Sequence, residues 1–143
     1  MRTINIVSGL LLAGLFIAGC TRENRIDEPV PPPVGGEGGK AVLEVSPKHH
    51  GKDIDSGWVM IKYDALKGPI LNGYDDTIKL PMDGKMVAKF DSLKWGNYFL
   101  NVIGYDAKVS EVVGGTASFS VIDSNARTYS TVVEVTEVNG ANH

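Results

Sequence analysis

From residue 40 onward, apolar and polar residues alternate with a period of two, in short blocks. "KAVLEVS" (40–46) is a run rich in β-branched residues. In "GWVMIKYDA", Val59, Ile61 and Tyr63 fall on one face and Trp58, Met60 and Lys62 on the other. "DTIKLP" reads as an edge strand, because Pro81 cannot donate to a ladder. "KMVAKFDSL" places Met86, Ala88 and Phe90 together, and "GNYFLNVIGYD" sets Tyr98, Leu100 and Val102 against Phe99, Asn101 and Ile103. "GTASFSVID" and "TYSTVVEVTEV" complete the set. Turn signals separate the blocks at Lys67-Gly68-Pro69, Asn72-Gly73, Asp83-Gly84, Trp95-Gly96-Asn97, Gly114-Gly115 and Asp123-Ser124-Asn125. No segment has a helical period, and there is no internal repeat. Seven short strands predict an all-β domain over residues 40–138, a seven-stranded antiparallel β-sandwich. Residues 139–143 read as a disordered tail.

Upstream the pattern changes. Ile4 to Gly19 carries no charge, and its dense part, Gly9 to Gly19, is shorter than the roughly 20 residues of a spanning helix. Arg2 precedes it, and small residues, Ala18 and Gly19, lead into Cys20. Positive, apolar, then small is the order of a secretory signal over residues 1–19. Cys20 is the only cysteine in the chain. A catalytic thiol needs a neighbouring base, a zinc site needs further ligands at short spacing, and a disulfide needs a second cysteine. None of these stands beside Cys20. The motif "IAGC" resembles the lipobox of bacterial lipoproteins, which implies cleavage before Cys20, a diacylglycerol on its sulfur and an acylated amine. Acyl chains at one end anchor a protein stably to a membrane.

Residues 20–39 then form a Pro/Gly-rich tether. Pro29 and Pro31 to Pro33 favour extended polyproline II, and Gly35, Gly36, Gly38 and Gly39 favour coil. Its 19 residues from Thr21 to Gly39 reach roughly 65 Å when stretched. Glu23, Asp27 and Glu28, just after the cysteine, resemble the signals for surface export of lipoproteins in Bacteroidetes-type bacteria.

Composition narrows the functions. A chain of 143 residues with 43% hydrophobic and 22% charged residues is globular and holds one ordinary domain. A net charge of −3, with no basic run, leaves no electrostatic footprint for nucleic acid or for docking on anionic lipid.

A second resemblance lies in "DGKMVAKFDSLKWGNYFLNVIGYD". Asp83-Gly84, Phe90, Leu93, Gly96, Tyr98, Leu100, Val102 and Gly104 are similar to the pattern of transthyretin-like or carboxypeptidase-regulatory-like domains. The resemblance implies a transthyretin-like or Ig-like sandwich, with Leu93 and Gly96 in a tight connection. The whole chain resembles small lipoproteins of Bacteroidetes-type bacteria that carry such a domain behind a tether.

Candidate chemistry is sparse. His49 and His50, followed by Asp53 and Asp55, have the donors to chelate a divalent metal. Adjacent histidines in a strand point to opposite faces, however, and a third ligand would have to come from elsewhere. His143 ends the chain, and a loop reading accounts for "KHHGKDIDSG" equally well. Met60, Met82 and Met86 read as gap fillers and Asp75-Asp76 as a solvated turn. No Gly-x-Ser-x-Gly elbow or phosphate-binding loop is present, so neither catalysis nor a cofactor is expected. The remaining feature is surface. Trp58, Met60, Phe99 and Ile103 face away from the expected core and form a candidate binding surface, unless the "KGPILNGYDD" loop covers them. Trp95 and Tyr105 offer a carbohydrate-stacking alternative. The expected protein is thus a non-enzymatic, lipid-anchored domain of the bacterial cell envelope, on the outer membrane, binding or scaffolding an envelope protein or glycan. Metal binding through His49 and His50 is the runner-up. An accessory domain of a separately encoded hydrolase is a third reading.

Overall fold

The computed structural model describes residues 33–69 and 72–138. Cys20, the expected signal segment, the expected tether as far as residue 32 and the expected tail over 139–143 lie outside the described residues. Among the described residues there is no helix. Eight strands are present: β1 (Glu37–His49), β2 (Lys52–Asp53), β3 (Ser56–Tyr63), β4 (Asp76–Leu80), β5 (Ala88–Leu93), β6 (Gly96–Asp106), β7 (Glu111–Val121) and β8 (Thr128–Glu137). Each of the seven expected strands corresponds to one of these, and β2 is a two-residue addition.

The strands hydrogen-bond in the order β2-β1-β8-β7-β6-β3-β4, and β5 pairs with β1 off that path. The sheet is mixed, which corrects the expected antiparallel arrangement. β1 and β8 run parallel from Val42↔Thr128 to His49↔Val135. Alternation tells which face a side chain takes and is silent on the direction of the neighbouring strand. β7 meets β8 only through Val113↔Glu137 and Gly114↔Thr136. The sheet curls there, so β1, β5 and β8 share one core with β3, β4, β6 and β7. Leu43, Phe90 and Val133 from one side are buried with Val59, Ile61 and Leu100 from the other.

The domain also begins earlier than residue 40. β1 starts at Glu37 and bulges before Ala41, because Glu37 and Ala41 both pair with Leu93. Gly36 N–H donates to the Tyr98 hydroxyl (3.0 Å), and that hydroxyl donates to the Lys94 carbonyl (2.6 Å). A side chain at Gly39 would overlap the Leu93 carbonyl. Glycines read as tether are therefore part of the fold, held against the β5–β6 connection.

At its other end β1 continues through Pro47. That residue falls between the last β5 pairing, Val45↔Ala88, and the first β2 pairing, Lys48↔Asp53. A proline is tolerated in a strand where one edge lacks a partner. The inward row of β1 is Ala41, Leu43, Val45, Pro47 and His49, all buried.

Candidate functional site

The structure divides the expected outward face. Trp58 and Ile103 are directly opposed across β3 and β6, and both are about half exposed, at 48% and 46%. Met60 and Phe99 are half-buried. A side chain on Gly68 would collide with the Phe99 ring, so the loop after β3 lies on that ring. The covered end of the face is thus Phe99, while the open end runs from Trp58 and Ile103 to Tyr105 and Val112, which are also exposed. Lys79 places its ammonium 5.5 Å from the centre of the Trp58 ring. A shallow groove of about 250 Å³ runs between Trp58, Lys79, Ile103, Tyr105 and Val112. Trp95 and Tyr105 stand at opposite ends of β6, about 30 Å apart along an extended strand. They cannot stack on one sugar.

The second cluster lies at the end of β1. His49 occupies the last inward position of that strand and is 3% exposed. Its neighbour does not point to the opposite face, which corrects the expectation for adjacent histidines. His50 (φ 50°) and Gly51 (φ 75°) are the two central residues of a tight hairpin turn joining β1 to β2, with His49↔Lys52 as its closing pair. Left-handed backbone at His50 ends the alternation and swings its ring beside that of His49, with ring centres 4.2 Å apart.

Two carboxylates complete the cluster. Asp106, the last residue of β6, sets Oδ2 2.8 Å from His49 Nδ1, while its Oδ1 accepts the Lys108 backbone N–H at 2.9 Å. Glu137 follows Val133 and Val135 on the inward row of β8. Parallel pairing of β1 with β8 brings that row to the His49 end of β1. Glu137 Oε1 lies 3.3 Å from His49 Nε2 and 3.8 Å from His50 Nε2. His49 Nε2 is nevertheless a buried nitrogen without a hydrogen-bond partner.

The hydrogen bond to Asp106 holds the His49 imidazole above its ordinary 6.5, against the opposing effect of burial. The same bond and the Lys108 N–H hold Asp106 below its ordinary 3.8. Glu137 is held below 4.5 by its own backbone N–H and by the two imidazoles. A raised imidazole contributes stability in full below pH 6.5 and loses it as pH climbs through the raised value. The depressed carboxylates contribute above 3.8 and 4.5 and lose it as pH falls. With a chelator present, the melting temperature is expected to be highest between pH 4.5 and 6.5 and to decline on both sides. Asp106→Asn should flatten the alkaline decline. Circular dichroism melts across pH would check this, and a wild-type profile flat from neutral to alkaline pH would contradict it.

Other candidates serve the fold. Asp53 pairs with Lys48 at 2.6 Å, and Asp55 accepts the Ala107 N–H at 2.7 Å, so neither joins the histidines. Asp75 binds Lys62 and the Tyr63 N–H, and Asp76 accepts the Thr77 N–H. Met86 packs against the core. Glu137 and Asp106 escaped the sequence reading, since each is a lone acid at a strand end. For Glu137 the available signal was the continued alternation from Val133 and Val135. The chain matches no family model, no curated protein and no solved structure.

Proposed function

We propose that this chain is a lipid-anchored, non-enzymatic protein of the bacterial cell envelope, held on the outer membrane through an acylated Cys20. Its β-domain binds or scaffolds another envelope protein or glycan. The anchor rests on the "IAGC" motif behind an uncharged apolar segment. The non-enzymatic reading rests on the lack of a catalytic motif in the sequence. The curled sheet, with its two halves joined by two β7–β8 pairs, supports reading the domain as a transthyretin-like sandwich whose β1–β8 pair is parallel.

One observation carries the binding role. Trp58, Ile103, Tyr105 and Val112 form a contiguous apolar row, each more than 40% exposed, on the outer side of β3, β6 and β7. Isolated exposed apolar residues are ordinary, whereas a contiguous aromatic-containing row suits a partner. Tryptophan and tyrosine anchors commonly contribute about 2 kcal/mol or more to such contacts.

The test has two arms. Cys20→Ala should abolish incorporation of a radiolabelled fatty acid and release the protein from membranes, with its far-ultraviolet circular dichroism unchanged. Trp58→Ser should leave the melting temperature within a few degrees of wild type, yet cut cross-linked capture of an envelope protein or glycan by roughly 30-fold. Labelling that survives in the cysteine variant would sink the anchor, and undiminished capture by the tryptophan variant would sink the binding face.

A further inference from the structure

The cluster at the end of β1 gathers three metal-ligating side chains around one buried nitrogen, His49 Nε2. His49 Nδ1 is engaged by Asp106 at 2.8 Å, so in the neutral ring Nδ1 carries the hydrogen and Nε2 carries a lone pair. That lone pair is buried, has no hydrogen-bond partner and faces the Glu137 carboxylate at 3.3 Å. Two electron-rich groups then confront each other. A proton on Nε2 would pair that nitrogen with Glu137 at 3.3 Å and leave His50 outside the contact. A cation lying between the rings and the carboxylate satisfies all three groups.

We propose that His49, His50 and Glu137 form a three-ligand site for a borderline divalent cation of the zinc type, with Asp106 positioning the His49 ring. The donor atoms of the three residues all lie within 4.8 Å of one another. Tetrahedral zinc with bonds near 2.0–2.1 Å holds its donors about 3.3 Å apart. The two histidine–glutamate separations, 3.3 and 3.8 Å, fit that spacing with little movement. The His50 side chain is 78% exposed and can turn to close the set.

The donor chemistry selects the cation. Two imidazole nitrogens and one carboxylate suit zinc, nickel or copper(II), whereas calcium and magnesium require shells of oxygen. Asp106 supplies the outer carboxylate that commonly orients a metal-bound histidine. Three protein ligands leave a fourth position, and the exposed side of His50 opens it to water or to a partner's donor atom. This site is separate from the Trp58 row and does not depend on it.

Isothermal titration of zinc chloride into the metal-stripped full chain tests the assignment. One equivalent should bind saturably, with no competition from millimolar magnesium or calcium. His50→Ala and Glu137→Gln should each weaken binding at least tenfold while keeping the wild-type circular dichroism, since neither side chain is buried. Asp106→Asn should weaken it by roughly 10- to 100-fold. Copper(II) loaded in place of zinc should show nitrogen hyperfine structure from two imidazoles, reduced to one in His50→Ala. That readout would not change if the residues were merely structural. Absence of saturable heat, or wild-type affinity in both His50→Ala and Glu137→Gln, overturns the proposal. The second outcome would assign the heat to Cys20 or His143.

Discussion

Gly39→Ala is expected to destabilise the domain by about 3 kcal/mol, lowering the melting temperature by roughly 12–24 °C. The added methyl group would overlap the Leu93 carbonyl group and the Lys94 Cα, all of them backbone atoms. A clash with a flexible side chain relaxes cheaply, whereas this one has to move β1 away from β5 or open the turn before β6. The same displacement would disturb the Tyr98 hydroxyl, which joins Gly36 to Lys94. Thermal melts of the full chain would check the expectation. If Gly39 were part of a free tether, the melt would be indistinguishable from wild type.

Leu100→Ala is expected to cost about 3 kcal/mol, within the 2–5 kcal/mol range of such core truncations. Leu100 is fully buried at the centre of β6, flanked by Ile61 on β3 and Ala117 on β7. The two neighbouring strands hold the surroundings in place, so the vacated volume collapses only in part. Its neighbour Phe99 points the other way and is half-buried beneath Gly68. Phe99→Ser should therefore cost about 1 kcal/mol through the lost loop contact. Urea denaturation of the two variants, with unchanged m-values, would separate these effects. Equal costs at both positions would contradict the assignment of faces.

Side-chain direction was legible wherever the residues were plainly apolar or plainly polar. Val59 and Ile61, and Tyr98, Leu100 and Val102, are fully buried as their alternation predicts. The pattern became unreadable where inward positions were filled by residues outside that vocabulary. Pro47 and His49 continue the buried row of β1, but a proline, a lysine and two histidines in succession read as a loop. The left-handed turn at His50 and Gly51 is a backbone event, and it reverses where a side chain points without changing the spacing. The metal cluster required a third ligand 87 positions after His50, and only the pairing of β1 with β8 brings Glu137 there. Alternation carries no record of partners, so neither that pairing nor the parallel direction was open to sequence reasoning. The glycines at 36, 38 and 39 failed for a different cause. Glycine marks both free coil and close backbone approach, and its context in the chain does not separate the two.

The parallel β1–β8 pair also sets how the domain carries force. The chain enters β1 at Glu37 and leaves β8 at Glu137, and because the two strands run in the same direction these points lie at opposite ends of the pair. A pull applied between Glu37 and Glu137 therefore slides the two strands along each other. The eight pairs from Val42↔Thr128 to His49↔Val135 take the strain together, whereas a hairpin pulled from its open end would lose its pairs in succession. Rupture in shear requires many hydrogen bonds to break at once, which raises the barrier that governs forced unfolding.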